Sequence, residues 1–194
     1  MSLKKVCVYA ASSKQIHPEY LEAAQEAGEE LAKASIEIVY GGGAVGLMGA
    51  IADGALSRKG RVTGIIPRFM MDLEWGHPDI SEMVVVEDMH QRKARMIEES
   101  DAVLALPGGC GTLEELFEAI TMKRLGLYFK PIILLNTRGA YDRVVDVLEH
   151  CVEERFMDDR HREMWRVAST PAEIIPAIHQ SPLWPENARS FATF

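Results

Sequence analysis

Apolar residues in this chain come as short unbroken runs separated by longer stretches of helical spacing. The runs cover residues 6–10, 36–40, 62–66, 83–86, 103–106 and 132–135, and each fits a strand buried on both faces. Between them the spacing changes. Leu21, Ala24, Gly28 and Leu31 line one side of a helix over 18–34, and Leu47, Met48, Ile51, Ala52 and Ala55 do the same after Val45, with Gly49 expected to allow close helix–sheet approach. A helix over 89–99 opens at Asp88, which with Gln91 has capping-box spacing. Leu113, Leu116, Phe117 and Ile120 fall at i, i+3, i+4 and i+7 of another, which Thr112 is placed to cap. Val144, Val145, Val147, Leu148 and Val152 mark a helix over about 141–155, and 171–179 a last short one. The tail after Ser181 has no period, and 68–81 reads as an irregular loop over a site.

Strands that alternate with helices in this way predict an α/β fold: a doubly wound parallel sheet with helices on both faces, in one domain over 1–194. Its core spans about 6–180, with 181–194 as a tail. Ligands of such sheets bind beyond the carboxyl ends of the strands, which directs attention to the loops 10–13, 41–46 and 107–112.

Composition changes this picture little. At 194 residues, 47% hydrophobic and 26% charged, the chain can bury a core without disulfide or metal staples. A net charge of −8 argues against general binding to nucleic acid or anionic membranes, but a local glycine loop and two basic residues can still hold a small phosphorylated ligand. No apolar run reaches membrane-spanning length and residues 1–5 lack a secretory core, so a cytoplasmic protein is expected. Cys7, Cys110 and Cys151 are odd in number and widely spaced, fitting neither a disulfide framework nor a zinc site.

Candidate chemistry centres on PGGCGTLEE (107–115). A strand passing through a glycine loop into a helix start leaves backbone N–H groups and a positive dipole end free, which suits a phosphate. Glu114 and Glu115 stand one turn away. The plain structural alternative is that Thr112 and Glu115 form a capping box and nothing more. Cys110 at this helix start has the setting of an activated nucleophile, but no histidine is placed to serve it. Gly41, Gly42 and Gly43 open a second glycine turn that lacks the GxGxxG form and is followed by no Gly-Lys-Ser/Thr, so it stands as a secondary loop or a tight turn. Arg92 and Lys93 lie near the N-terminal end of their helix, where cations oppose the dipole; the small cost points to a ligand role. Glu74 is by default a solvated loop carboxylate.

Four segments in order, GGGAVGLMG (41–49), GIIP (64–67), MHQRKARM (89–96) and PGGCGTLEE (107–115), resemble the LONELY GUY (LOG) family of cytokinin-activating phosphoribohydrolases over residues 6 to about 180. Older labels call such proteins lysine decarboxylases, yet no lysine here has a setting suited to a pyridoxal Schiff base. The resemblance implies a Rossmann-like homodimer, or a multiple of it, without metal or redox cofactor. It implies hydrolysis of the N-glycosidic bond of a nucleoside 5′-monophosphate, a cytokinin ribotide or AMP, to free base and ribose 5-phosphate. It assigns substrate contacts to Glu74, Lys93, Gly109, Cys110, Gly111, Thr112, Leu113, Glu114 and Thr121, and catalysis to Arg92 and Glu115. Two departures stand out: Ala10-Ala11-Ser12-Ser13 where relatives often have Cys-Gly-Ser-Ser, and Cys110 where an aromatic or aliphatic residue is common. The competing reading is a nucleotide- or molybdenum-cofactor-binding module without catalysis, and a third is a general nucleotide N-glycosidase.

Overall fold

The computed structural model describes residues 3–73 and 75–192. Its elements in chain order are β1 (Lys5–Tyr9), α1 (Pro18–Lys33), β2 (Glu37–Tyr40), α2 (Gly46–Ser57), β3 (Val62–Pro67), α3 (Arg68–Asp72), β4 (Glu82–Val86), α4 (Met89–Glu98), β5 (Ala102–Ala105), α5 (Cys110–Arg124), β6 (Ile132–Leu135), α6 (Asp142–Glu153), β7 (Arg166–Ala168) and α7 (Ile174–Gln180). The strands form one parallel sheet in the order β4-β3-β2-β1-β5-β6-β7. Register is fixed in the centre by Val8, which pairs with Tyr40 of β2 on one side and Leu104 of β5 on the other.

The central strands alternate between two apolar layers, because successive side chains of a strand point to opposite faces. Val6, Val8, Ile38, Tyr40 and Leu104 pack under α1, α2 and α7, while Cys7, Tyr9, Val39, Val103 and Ala105 pack under α4, α5 and α6. Both faces are therefore covered, and the strands read as continuous apolar runs. α1 and α2 approach almost backbone to backbone. A Cβ on Gly28 would lie 2.2 Å from the carbonyl oxygen of Ile51, and one on Gly54 would lie 2.0 Å from that of Gln25. Gly49, expected to serve close packing on the sheet, instead meets the carbonyl of Ala44 in its own turn.

The chain departs from expectation in three places. The segment 68–81 is less irregular than its composition: α3 forms, and Gly76 then makes an antiparallel bridge to Gly43. A seventh strand, β7, adds at the sheet edge, too short for its pattern to be read. The tail is packed. Trp184, Ala188 and Phe191 are buried against the C-terminal half of α5, with Trp184 Nε1 donating to the carbonyl of Lys123 at 2.7 Å. Lys123 is sealed beneath them. Its burial lowers the ammonium to about 7, and its Nζ donates to the Lys130 carbonyl at 2.9 Å.

Candidate active site at the strand carboxyl ends

The order of strands reverses at β1: the chain runs outward through β2, β3 and β4, then returns to place β5 on the other side of β1. At such a switch point the following loops diverge and leave a crevice. Here the crevice is a cleft of about 890 Å³ lined by the loops after β1, β2 and β5. These are the three loops singled out from the sequence.

Its floor is the start of α5. Gly109 is the N-cap and offers no side chain; the first helical bond runs from Leu113 N–H to the Gly109 carbonyl at 3.0 Å. The amides of Cys110, Gly111 and Thr112 thus occupy the first turn, where an α-helix has no internal acceptor for them, and all three residues line the cleft. Thr112 is inside the helix and buried, so the expected capping box of Thr112 with Glu115 does not form. Its side chain lies over Gly108, where a Cβ would come within 2.1 Å of Thr112 Oγ1. In contrast, Gly109 and Gly111 face open space: a Cβ on either would meet nothing within 4 Å. Packing does not require glycine at these two positions. The volume beside them belongs to the cleft.

Arg92 and Glu115 form the buried polar centre. They are 8% and 7% exposed, and Arg92 Nη1 lies 3.5 Å from Glu115 Oε1. The guanidinium is held by the ends of two strands, donating from Nε to the Ile65 carbonyl at 3.2 Å and from Nη2 to the Gly41 carbonyl at 3.4 Å. Gly41 is what admits it, since a Cβ there would lie 1.8 Å from Nη2. Burial pushes the Glu115 carboxyl above its ordinary value of 4.5, against the pull of Arg92. A carboxylate in that condition is a better proton acceptor than one in water.

The remaining expected site residues divide. Gly41, Gly43 and Glu114 line the cleft with the α5 residues, as do Met70 and Trp75 from the segment after β3. Gly42 sits just behind, with φ +77°, and its carbonyl accepts from His77 N–H at 2.9 Å. Lys93 turns away from the cleft to α5, pairing with Glu114 at 2.5 Å and Glu118 at 3.0 Å. Burial works against its charge, but the two carboxylates outweigh burial and hold the ammonium above its ordinary value. Leu113 points into the neighbouring apolar layer rather than the cleft. Thr121 is exposed, nine residues beyond Thr112 and so about 14 Å further along the helix axis. Glu74 lies outside the described residues. Sequence reasoning missed Lys14, Met48, Ile66, Met89 and Met96, which also line the cleft. The first two carried a usable signal, as each lies within a few residues of a loop already placed at the strand carboxyl ends.

Fold and site together define a class: a doubly wound α/β protein whose cleft at the strand carboxyl ends joins a helix N-terminus to a buried arginine–carboxylate pair. Comparison with known proteins narrows this. The family described as "Possible lysine decarboxylase" matches residues 48–178. The cytokinin riboside 5′-monophosphate phosphoribohydrolase LOG1 of Arabidopsis thaliana is 42% identical over 175 residues, covering 90% of this chain and 82% of the relative. The solved structural-genomics protein TM1055 is 30% identical, with a TM-score of 0.73 over 92% of this chain and 99% of its own. The molybdenum cofactor binding protein of Rippkaea orientalis has a TM-score of 0.69 over 92% of this chain and 97% of its own; at 24% identity it shows the shared fold alone. The chain belongs to the LOG family.

Proposed function

We propose that this protein hydrolyses the N-glycosidic bond of purine riboside 5′-monophosphates, cytokinin ribotides foremost and AMP as a further substrate, to free base and ribose 5-phosphate. The observation that carries this reading is the buried Glu115 carboxylate, raised in pKa and held beside Arg92 at the foot of an amide-lined anion site. The activity named for the relatives is the one this arrangement suits.

When the bond between C1′ and the purine N9 lengthens, the base leaves with the bonding pair and positive charge develops on C1′ and O4′. Glu115 stabilises that charge and takes the proton of the water whose oxygen bonds to C1′. The proton then passes to the departed base, so atoms and charge balance. Arg92 fixes the carboxylate's position, itself anchored on two strand carbonyls. The 5′-phosphate rests on the amides of Cys110, Gly111 and Thr112, and Glu114 holds ribose hydroxyls. Met48, Met70 and Trp75 give the cleft an apolar wall fit for a purine bearing an N6 substituent.

We further propose a homodimer, or a multiple of it, in the cytoplasm. Phe117, Thr121 and Leu125 recur every fourth residue on one exposed side of α5, continued by Leu127 and Phe129. Exposed apolar residues at this spacing support an interface with a second copy, on which reading Thr121 belongs to that interface and not to its own cleft. Three free thiols fit a reducing compartment, and among the described residues no helix is long and apolar enough to cross a membrane. Incubating the purified protein with AMP and with isopentenyladenosine monophosphate should release free base from both; nucleotide bound but uncleaved would overturn the hydrolase reading.

A further inference from the structure

The charges around the cleft leave one cation unassigned. Arg92 is committed to Glu115 and to two strand carbonyls, and Lys93 sits outside the cleft on Glu114 and Glu118. Both carboxylates that line the cleft are thereby matched by a cation. A phosphate monoester brings a charge of about −1.5 to −2 at neutral pH, whereas a helix terminus supplies only about half a positive charge. The balance must come from elsewhere. Lys14 lines the cleft and, among the described residues, is in no ion pair.

Its position follows from the backbone. The loop carrying it is pinned to both glycine turns: Ala11 N–H donates to the Pro107 carbonyl at 3.3 Å, and the Ala11 carbonyl accepts from Met48 N–H at 3.2 Å. Next to it, Gly46 with φ +63° lets the turn before α2 close on the Ser13 carbonyl, which a Cβ would meet at 2.6 Å. Residues 12–14 are therefore held at the rim of the same cleft that α5 floors, although Lys14 itself makes no hydrogen bond among the described residues. A lysine so placed keeps its hydration until an anion arrives.

We propose that Lys14 is the counter-cation of the substrate's 5′-phosphate and sets the preference for phosphorylated over unphosphorylated nucleosides. This rests on the hydrolase reading above. The residue acts on binding rather than on the bond being cleaved. The test compares Lys14→Met and Lys14→Arg with the unmodified protein, following base release from AMP and titrating ribose 5-phosphate by calorimetry. Lys14→Met should raise both KM for AMP and Kd for ribose 5-phosphate roughly tenfold, the scale of one charge-assisted hydrogen bond. The loss should fall on KM and not on kcat, and Lys14→Arg should recover most of it. Both constants within twofold of the unmodified protein would overturn the proposal, as would a loss confined to kcat. The two readings fail separately. Absence of base release from the unmodified protein sinks the hydrolase assignment while the calorimetric comparison still judges Lys14, and normal release with an unaltered Lys14→Met variant sinks Lys14 alone.

Discussion

At the scale of single residues, Glu115 is where stability and the proposed chemistry oppose each other. Its carboxyl is buried with one cation 3.5 Å away, and burial dominates, raising its pKa. A carboxyl raised in the folded state binds its proton more tightly folded than unfolded. Its contribution is therefore fully favourable below the ordinary value of 4.5 and is lost as pH rises through the raised value. Glu115→Gln should cut turnover by about 10²–10⁴ with nucleotide binding retained. The same substitution should raise Tm above that window and lose this advantage as pH falls toward 4.5, which thermal melts across pH will show. Near-normal turnover would leave Glu115 without a chemical role, since the capping alternative is already closed by the position of Thr112 inside α5. Gly41 makes the complementary case. An alanine there must displace the Arg92 guanidinium, so Gly41→Ala should cost at least tenfold in kcat/KM with the sheet intact by circular dichroism.

At the scale of elements, the segment between β3 and β4 is fastened rather than loose. His77 is buried, its Nε2 3.1 Å from Asp53 Oδ1 on α2, while its Nδ1 accepts from Asp79 N–H at 3.2 Å. Its own N–H reaches the Gly42 carbonyl, and the Trp75 carbonyl accepts from Ala44 N–H at 3.2 Å. These bonds tie Trp75 to the second glycine turn. His77→Ala should destabilise the fold by about 1–3 kcal/mol through the unpaired groups it leaves, and should raise KM more than it lowers kcat. None of this was legible from the sequence, where 68–81 has no period and His77 is one histidine among six. The strands and long helices were legible because apolar runs and helical spacing reflect burial on a two-sided sheet. Capping at α4 was nearly so: Asp88 accepts from Gln91 N–H at 2.8 Å as its spacing requires, but Gln91 Oε1 reaches back to Glu87 N–H instead of the cap residue. Phe117 misled. Its spacing matches the core side of α5, yet it is 36% exposed, and Ala119 fills the layer in its place.

For the whole molecule, that misreading becomes informative. Burial within one chain does not account for Phe117, Leu125, Leu127 and Phe129, and the homodimer proposed above is the reading they support. On the proposed dimer, light scattering should find the unmodified protein at twice the monomer mass, and replacing Phe117 and Leu125 together by Glu should give a folded monomer at the same concentration. If the parent is itself a monomer, the stripe has another occupant. The site was legible only in part. The family resemblance brought together Arg92, Glu115 and the α5 terminus, but it could not show that Lys93 turns to Glu114 and Glu118, because neighbouring helix residues differ by about 100° in direction.

The empty space beside Gly111 has a practical outcome. A methyl group there would meet nothing within 4 Å beyond its own helix turn, and helices favour alanine over glycine by about 1 kcal/mol. Gly111→Ala should thus melt at or above the temperature of the parent while binding ribose 5-phosphate more weakly. A heat-resistance screen would rank such a variant as improved and an activity assay would rank it as damaged. At the mouth of α5 the fold leaves room that it does not need for itself, and only measurements made with a ligand present can detect its loss.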